Sequence, residues 1–68
     1  MGPSLGEVVA FDEHAGLGTV RGDDGRELGF HCTAIADGSR RIEVGARVAY
    51  EVVPGHLCRY EAAHLRPD

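Results

Sequence analysis

Gly16-Leu17-Gly18-Thr19-Val20-Arg21-Gly22-Asp23-Asp24-Gly25-Arg26-Glu27-Leu28-Gly29-Phe30-His31-Cys32-Thr33-Ala34-Ile35 is the stretch that decides the fold. Apolar and small residues alternate on either side of the acidic turn Asp23-Asp24-Gly25, and no helical period runs through it. The alternation predicts two strands, Leu17 to Arg21 and Arg26 to Cys32. They are joined by the tight turn Gly22-Asp23-Asp24-Gly25, where glycine supplies a positive φ at low cost.

The same reading extends outward in both directions. Upstream, Leu5 to Phe11 is a first strand with Val8 as its core contact, and Asp12-Glu13-His14-Ala15-Gly16 turns the chain back into a three-stranded meander. Downstream, Arg47 to Val53 is a fourth strand with Val48, Tyr50 and Val52 on one face. Pro54-Gly55 ends it, because proline donates nothing to a ladder. Arg59 to Leu65 is the fifth strand. Thr33 to Ala46 is the longest connection, opens with one short helical turn at Thr33-Ala34-Ile35, and is long enough in so small a domain to be a candidate functional element.

Five short antiparallel strands suit a small all-β Greek-key barrel of the oligonucleotide/oligosaccharide-binding type, which limits exposed edges. The expected core is Val8, Val20, Leu28, Phe30, Val48 and Val52. A chain of 68 residues is one domain. At that size only about 60% of the unfolded surface is buried, so modest stability and no deep catalytic cavity are expected.

Four segments carry a family resemblance. Gly6-Glu7-Val8-Val9-Ala10-Phe11-Asp12 stands where the family reads Gly-Lys-Val-Lys-Trp-Phe-Asn, and Gly16-Leu17-Gly18-Thr19-Val20 follows its Lys-Gly-Phe-Gly-Phe-Ile. Leu28-Gly29-Phe30-His31-Cys32 follows Val-Phe-Val-His-Phe, and Glu61-Ala62-Ala63-His64-Leu65 follows Gln-Ala-Ala-Asn-Val. In order and spacing the chain resembles the bacterial cold-shock domain. The resemblance implies the barrel above and binding of single-stranded RNA or DNA, on a face where exposed rings stack on bases. The matching exposed positions are Ala15, Leu17, Thr19, Gly29 and Cys32, so most of those rings are missing.

Composition bears on the same question. A formal charge of −4 opposes non-specific attraction to a polyanion, since that attraction comes from basic groups displacing counterions. The charge is unevenly spread. Up to Ser39, seven acids (Glu7, Asp12, Glu13, Asp23, Asp24, Glu27, Asp37) face only Arg21 and Arg26, whereas from Arg40 onward five arginines face four acids. Any basic surface is therefore expected from the second half. Every basic residue is Arg, able both to fork onto phosphate and to stack on a base. The first residues carry no basic cluster and lead into no long apolar run, which argues against a signal peptide or membrane span and for a cytoplasmic protein. Cys32 and Cys58 are too few for a disulfide scaffold and are expected as free thiols.

The candidate nucleic-acid-binding residues are Phe11, Leu17, His31, Arg40, Arg59 and Tyr60. Phe11 and His31 match family contact positions and offer π faces; packing in the barrel wall is the competing reading for Phe11. Tyr60 and Arg59 start the last strand beside the fourth-to-fifth loop, which binds ligands in many barrels of this type. Arg40-Arg41 sits in the long loop, where phosphate contact competes with the reading of a solvated doublet that meets only water. His31-Cys32 and His56-Leu57-Cys58 supply zinc-type donors without a zinc spacing, and neighbouring strand positions point to opposite faces. No cofactor is implied, and no acid orienter or oxyanion loop accompanies the thiols to suggest an enzyme. The expected activity is weak, low-specificity single-strand binding. The rival is a protein-interaction or self-association module that kept the barrel and lost nucleic-acid affinity, with Leu17, Thr19 and Gly29 meeting a protein or a second copy.

Overall fold

A closed ring with an odd number of strands cannot alternate direction all the way round, and this chain places its one exception between the third and fifth strands. The computed structural model describes residues 3–36, 41–55 and 59–68. Its elements are β1 (Ser4–Asp12), β2 (Leu17–Gly22), β3 (Glu27–His31), a 3-10 turn (Cys32–Ala34), β4 (Arg47–Pro54) and β5 (Tyr60–Pro67). They close into an all-β barrel in the order β1-β2-β3-β5-β4, with β4 returning to pair with β1. This is the small oligonucleotide/oligosaccharide-binding type of barrel expected from the alternation. Every pairing is antiparallel except that of β3 with β5, which are parallel at Gly29 and Glu61; a second parallel bridge joins Ile35 to Leu65. That seam is the thinnest part of the wall. Among the described residues no helix is long and apolar enough to cross a membrane.

The core forms where inward positions of neighbouring strands meet. Val8 and Val20 face each other across β1 and β2 and are fully buried. Phe30, Ile35, Val48, Tyr50, Ala62 and Leu65 complete the cluster. Each such side chain contributes roughly 1.5–3 kcal/mol on leaving water. Burial also raises the Tyr50 phenol above its ordinary pKa, helped by the nearby Asp24 and Asp23 carboxylates.

Two expected core residues are corrected. Leu28 is half-buried, packed against the cluster's edge. Val52 is 45% exposed. Strict alternation along β4 puts it on the inward side with Val48 and Tyr50, but β1 begins at Ser4, opposite Tyr50, so the β1–β4 ladder stops short of Val52. Val52 pairs with the buried Ala62, and the bulge between Ala49 and Glu51 carries its extra residue on β5, so the period of β4 itself is kept.

A second bulge decides where Phe11 goes. The β1–β2 register slips between Val8 and Ala10, so Ala10 turns outward and Phe11 inward. A one-residue slip exchanges the faces of a strand. Phe11 stacks on Phe30 with centroids 6.0 Å apart and planes 6° from parallel. Gly18 pairs with both residues because a Cβ there would run into the Phe30 ring and stand 2.9 Å from the Ala10 carbonyl oxygen.

The β4–β5 bulge puts His64 at φ 53°, left-handed, with its carbonyl accepting 2.8 Å from Arg66 Nη1. Left-handed backbone costs a side-chain-bearing residue about 1–2 kcal/mol, least for Asn and most for β-branched residues. His64→Asn is therefore expected to hold or raise the thermal midpoint. His64→Val should lower it by several degrees, at roughly 4–8 °C per kcal/mol in a domain of this size. A valine variant that melts with the parent would show that the bulge relaxes.

Candidate functional site

Strand register sorts the outer face of β1, β2 and β3 into three rows. Asp12, Leu17 and His31 lie side by side; next come Ala10, Thr19 and Gly29; then Glu7, Arg21 and Glu27. The inward row Phe11-Gly18-Phe30 lies between the first two. Leu17 is 53% exposed and His31 is exposed, its Nδ1 standing 3.2 Å from Thr33 Oγ1. Asp12 turns its carboxylate onto its own turn, where Oδ1 accepts the amides of His14 at 3.0 Å and Ala15 at 3.1 Å. In the second row Gly29 carries no side chain, and a Cβ there would stand in ordinary contact with the Gly18 carbonyl oxygen at 3.8 Å. In the third, Arg21 is neutralised by Glu27, whose Oε2 accepts from Nε at 3.1 Å and Nη2 at 2.8 Å.

β5 supplies the opposite wall. A groove of about 570 Å³ runs between Leu17 and His31 on one side and Arg59, Tyr60 and Glu61 on the other, with Gly29 in its floor. Tyr60 is 61% exposed. Arg59 is held by its carbonyl, which accepts the Gly55 amide and closes the β4–β5 turn. Four sequence-expected residues, Leu17, His31, Arg59 and Tyr60, are thus brought together. Phe11 stands apart, its open side facing a separate hollow with Glu13, Arg41, Ile42 and Glu43. Arg40 lies outside the described residues, as do Cys58 and His56; Cys32 is a free, half-buried thiol.

The charge asymmetry of the sequence resolves into pairing between the two halves. Arg47 forks onto Asp23, with both N···O distances 2.9 Å, and Arg41 meets Glu13 at 2.9 Å. Arg66 lies 3.9 Å from Glu51. The hydrogen bonds from the Arg47 guanidinium hold the Asp23 carboxyl below its ordinary pKa, against the opposing effect of desolvation. The basic surface expected of the second half is therefore largely spent on acids. Arg59, at the groove, has no ion pair among the described residues. The sequence reading placed Gly29 on the exposed face but did not bring it beside Glu61, a juxtaposition that depends on the parallel seam.

A scan of the chain against protein-family models finds no match, and a search of curated proteins finds none either.

Proposed function

We propose that the chain is a divergent cold-shock-like domain that binds single-stranded RNA or DNA weakly and with little base preference. The observation that carries this reading is the groove in which Tyr60 and His31 offer π faces, Arg59 offers a cation and Gly29 leaves room for a base. Base stacking on a ring is worth roughly 1–3 kcal/mol per base, and with most of the family's rings absent the salt-dependent electrostatic attraction dominates.

Titration with short single strands, followed by backbone amide shifts, tests the reading. Affinity is expected to be weak and to fall steeply with salt. Arg59→Ala should reduce the slope of log K against log salt by about 0.7, one phosphate contact on a single strand. His31→Ala should weaken binding and leave that slope unchanged, because a neutral stacking partner releases no counterion. Amides of β2 and β3 that stay still at millimolar oligonucleotide and low salt would overturn the reading in favour of a protein-binding face.

A further inference from the structure

Arg59 and Tyr60 border two hollows. The second, of about 610 Å³, opens at the barrel mouth over Leu5, Leu28, Tyr50 and Val52, and the residues it shares with the first groove are Gly29, Arg59 and Tyr60. The two meet over the β3–β5 seam, where Gly29 raises no side chain between them. We infer that they take two consecutive bases of one strand, with the Tyr60 ring wedged between the bases and Arg59 on the phosphate that links them.

The inference rests on the single-strand reading above and extends it to a surface that the sequence did not single out. An aromatic ring has two faces, and Tyr60, 61% exposed, borders both hollows. Each hollow falls within the range of about 300–1,000 Å³ in which proteins bury small ligands. Exposed apolar surface also gathers here. Of five exposed large hydrophobics among the described residues, Leu5, Leu17, Val52 and Tyr60 border the pair of hollows, and Val44 alone lies elsewhere.

The acids on the rim of the second hollow do not bar an anionic strand. Asp23 is held by the Arg47 fork, and Glu27 by Arg21 at 2.8 Å. That leaves Asp24 facing Arg26 and Arg59, neither of which has an ion pair among the described residues. Asp24 in turn spends Oδ1 on the Arg26 amide at 2.9 Å. The linking phosphate is therefore assigned to Arg59, which borders both hollows, and the base to the lining of Leu5, Leu28 and Val52.

The test compares thymidine monophosphate with the dinucleotide pTpT, reading the methyl signals of Leu5, Leu17, Leu28 and Val52 and the ring signals of Tyr60 and His31. The dinucleotide is expected to bind at least tenfold more tightly and to move the Leu5 and Val52 methyls together with Leu17. Tyr60→Ala removes two stacks from the dinucleotide complex and one from the mononucleotide, each about 5- to 150-fold. The dinucleotide should therefore lose the larger factor, and Tyr60→Phe should retain both. If Leu17 and His31 respond while Leu5 and Val52 stay still, the single-groove reading stands and the two-base wedge is overturned. If none of these signals moves, both fail.

Discussion

Phe30→Ala is expected to destabilise the barrel by about 3–5 kcal/mol, the range for deleting a buried aromatic ring from a packed core. A 68-residue domain at about 0.05–0.15 kcal/mol per residue has roughly 3–10 kcal/mol in all, so the variant should lose from about a third to all of its stability. The expectation follows from the local geometry. Phe30 is 2% exposed, its ring stacks on Phe11, and glycine at position 18 reserves the space it fills. Removing the ring leaves a hole lined by Phe11 and by backbone that cannot collapse without breaking the β1–β2–β3 register. Phe30→Leu keeps much of the volume and should cost markedly less. Gly18→Ala approaches the same site from the other side, and its overpacking should cost about 1–3 kcal/mol. Part of that cost should disappear in the Phe30→Leu background, because the Cβ then meets a shorter side chain. Urea unfolding followed by circular dichroism reads the four variants and the parent; a Phe30→Ala midpoint equal to the parent's would remove this ring from the core.

The barrel was legible because each of its strands is written as local alternation and each tight turn as glycine or proline, starting from Gly16 to Ile35. What local pattern cannot write is closure. The parallel seam at Gly29 and Glu61 follows from joining an odd number of strands into a ring, and with it come both hollows beside Tyr60. The two bulges were equally silent. One turned Phe11 from the outer face to the Phe30 stack, and the other put His64 in the left-handed region on β5. Leu17 and His31 were readable as outward neighbours because the β2–β3 hairpin has no irregularity in its register. The excess of arginine in the second half resembled a basic surface in the sequence. In three dimensions Arg47 and Arg41 answer acids from the first half, Asp23 and Glu13, across distances in sequence that no window spans.

Placing two rings on the bare face should raise affinity by the worth of two stacks. Leu17 and Thr19 lie in adjacent outer rows of β2, beside His31 and Gly29 respectively. Leu17→Phe and Thr19→Phe each add a stacking surface worth roughly 1–3 kcal/mol per base, or about 5- to 150-fold in affinity. The double variant should gain about 25-fold at the least if the two rings act independently. Little stability should be lost, since aromatic residues suit a half-exposed strand surface. Because neither substitution changes charge, the slope of affinity against salt should stay that of the parent while the whole curve moves to tighter binding. That combination separates the proposed cause of weak binding from its rival. If the face has the shape of a single-strand platform and lacks only rings, affinity rises at constant slope. If Glu7, Asp12 and Glu27 repel the strand before it docks, the added rings find no base to stack on and affinity stays where it was. An unchanged affinity in the double variant would therefore remove β2 from the path of the strand and leave the outer face to a protein partner.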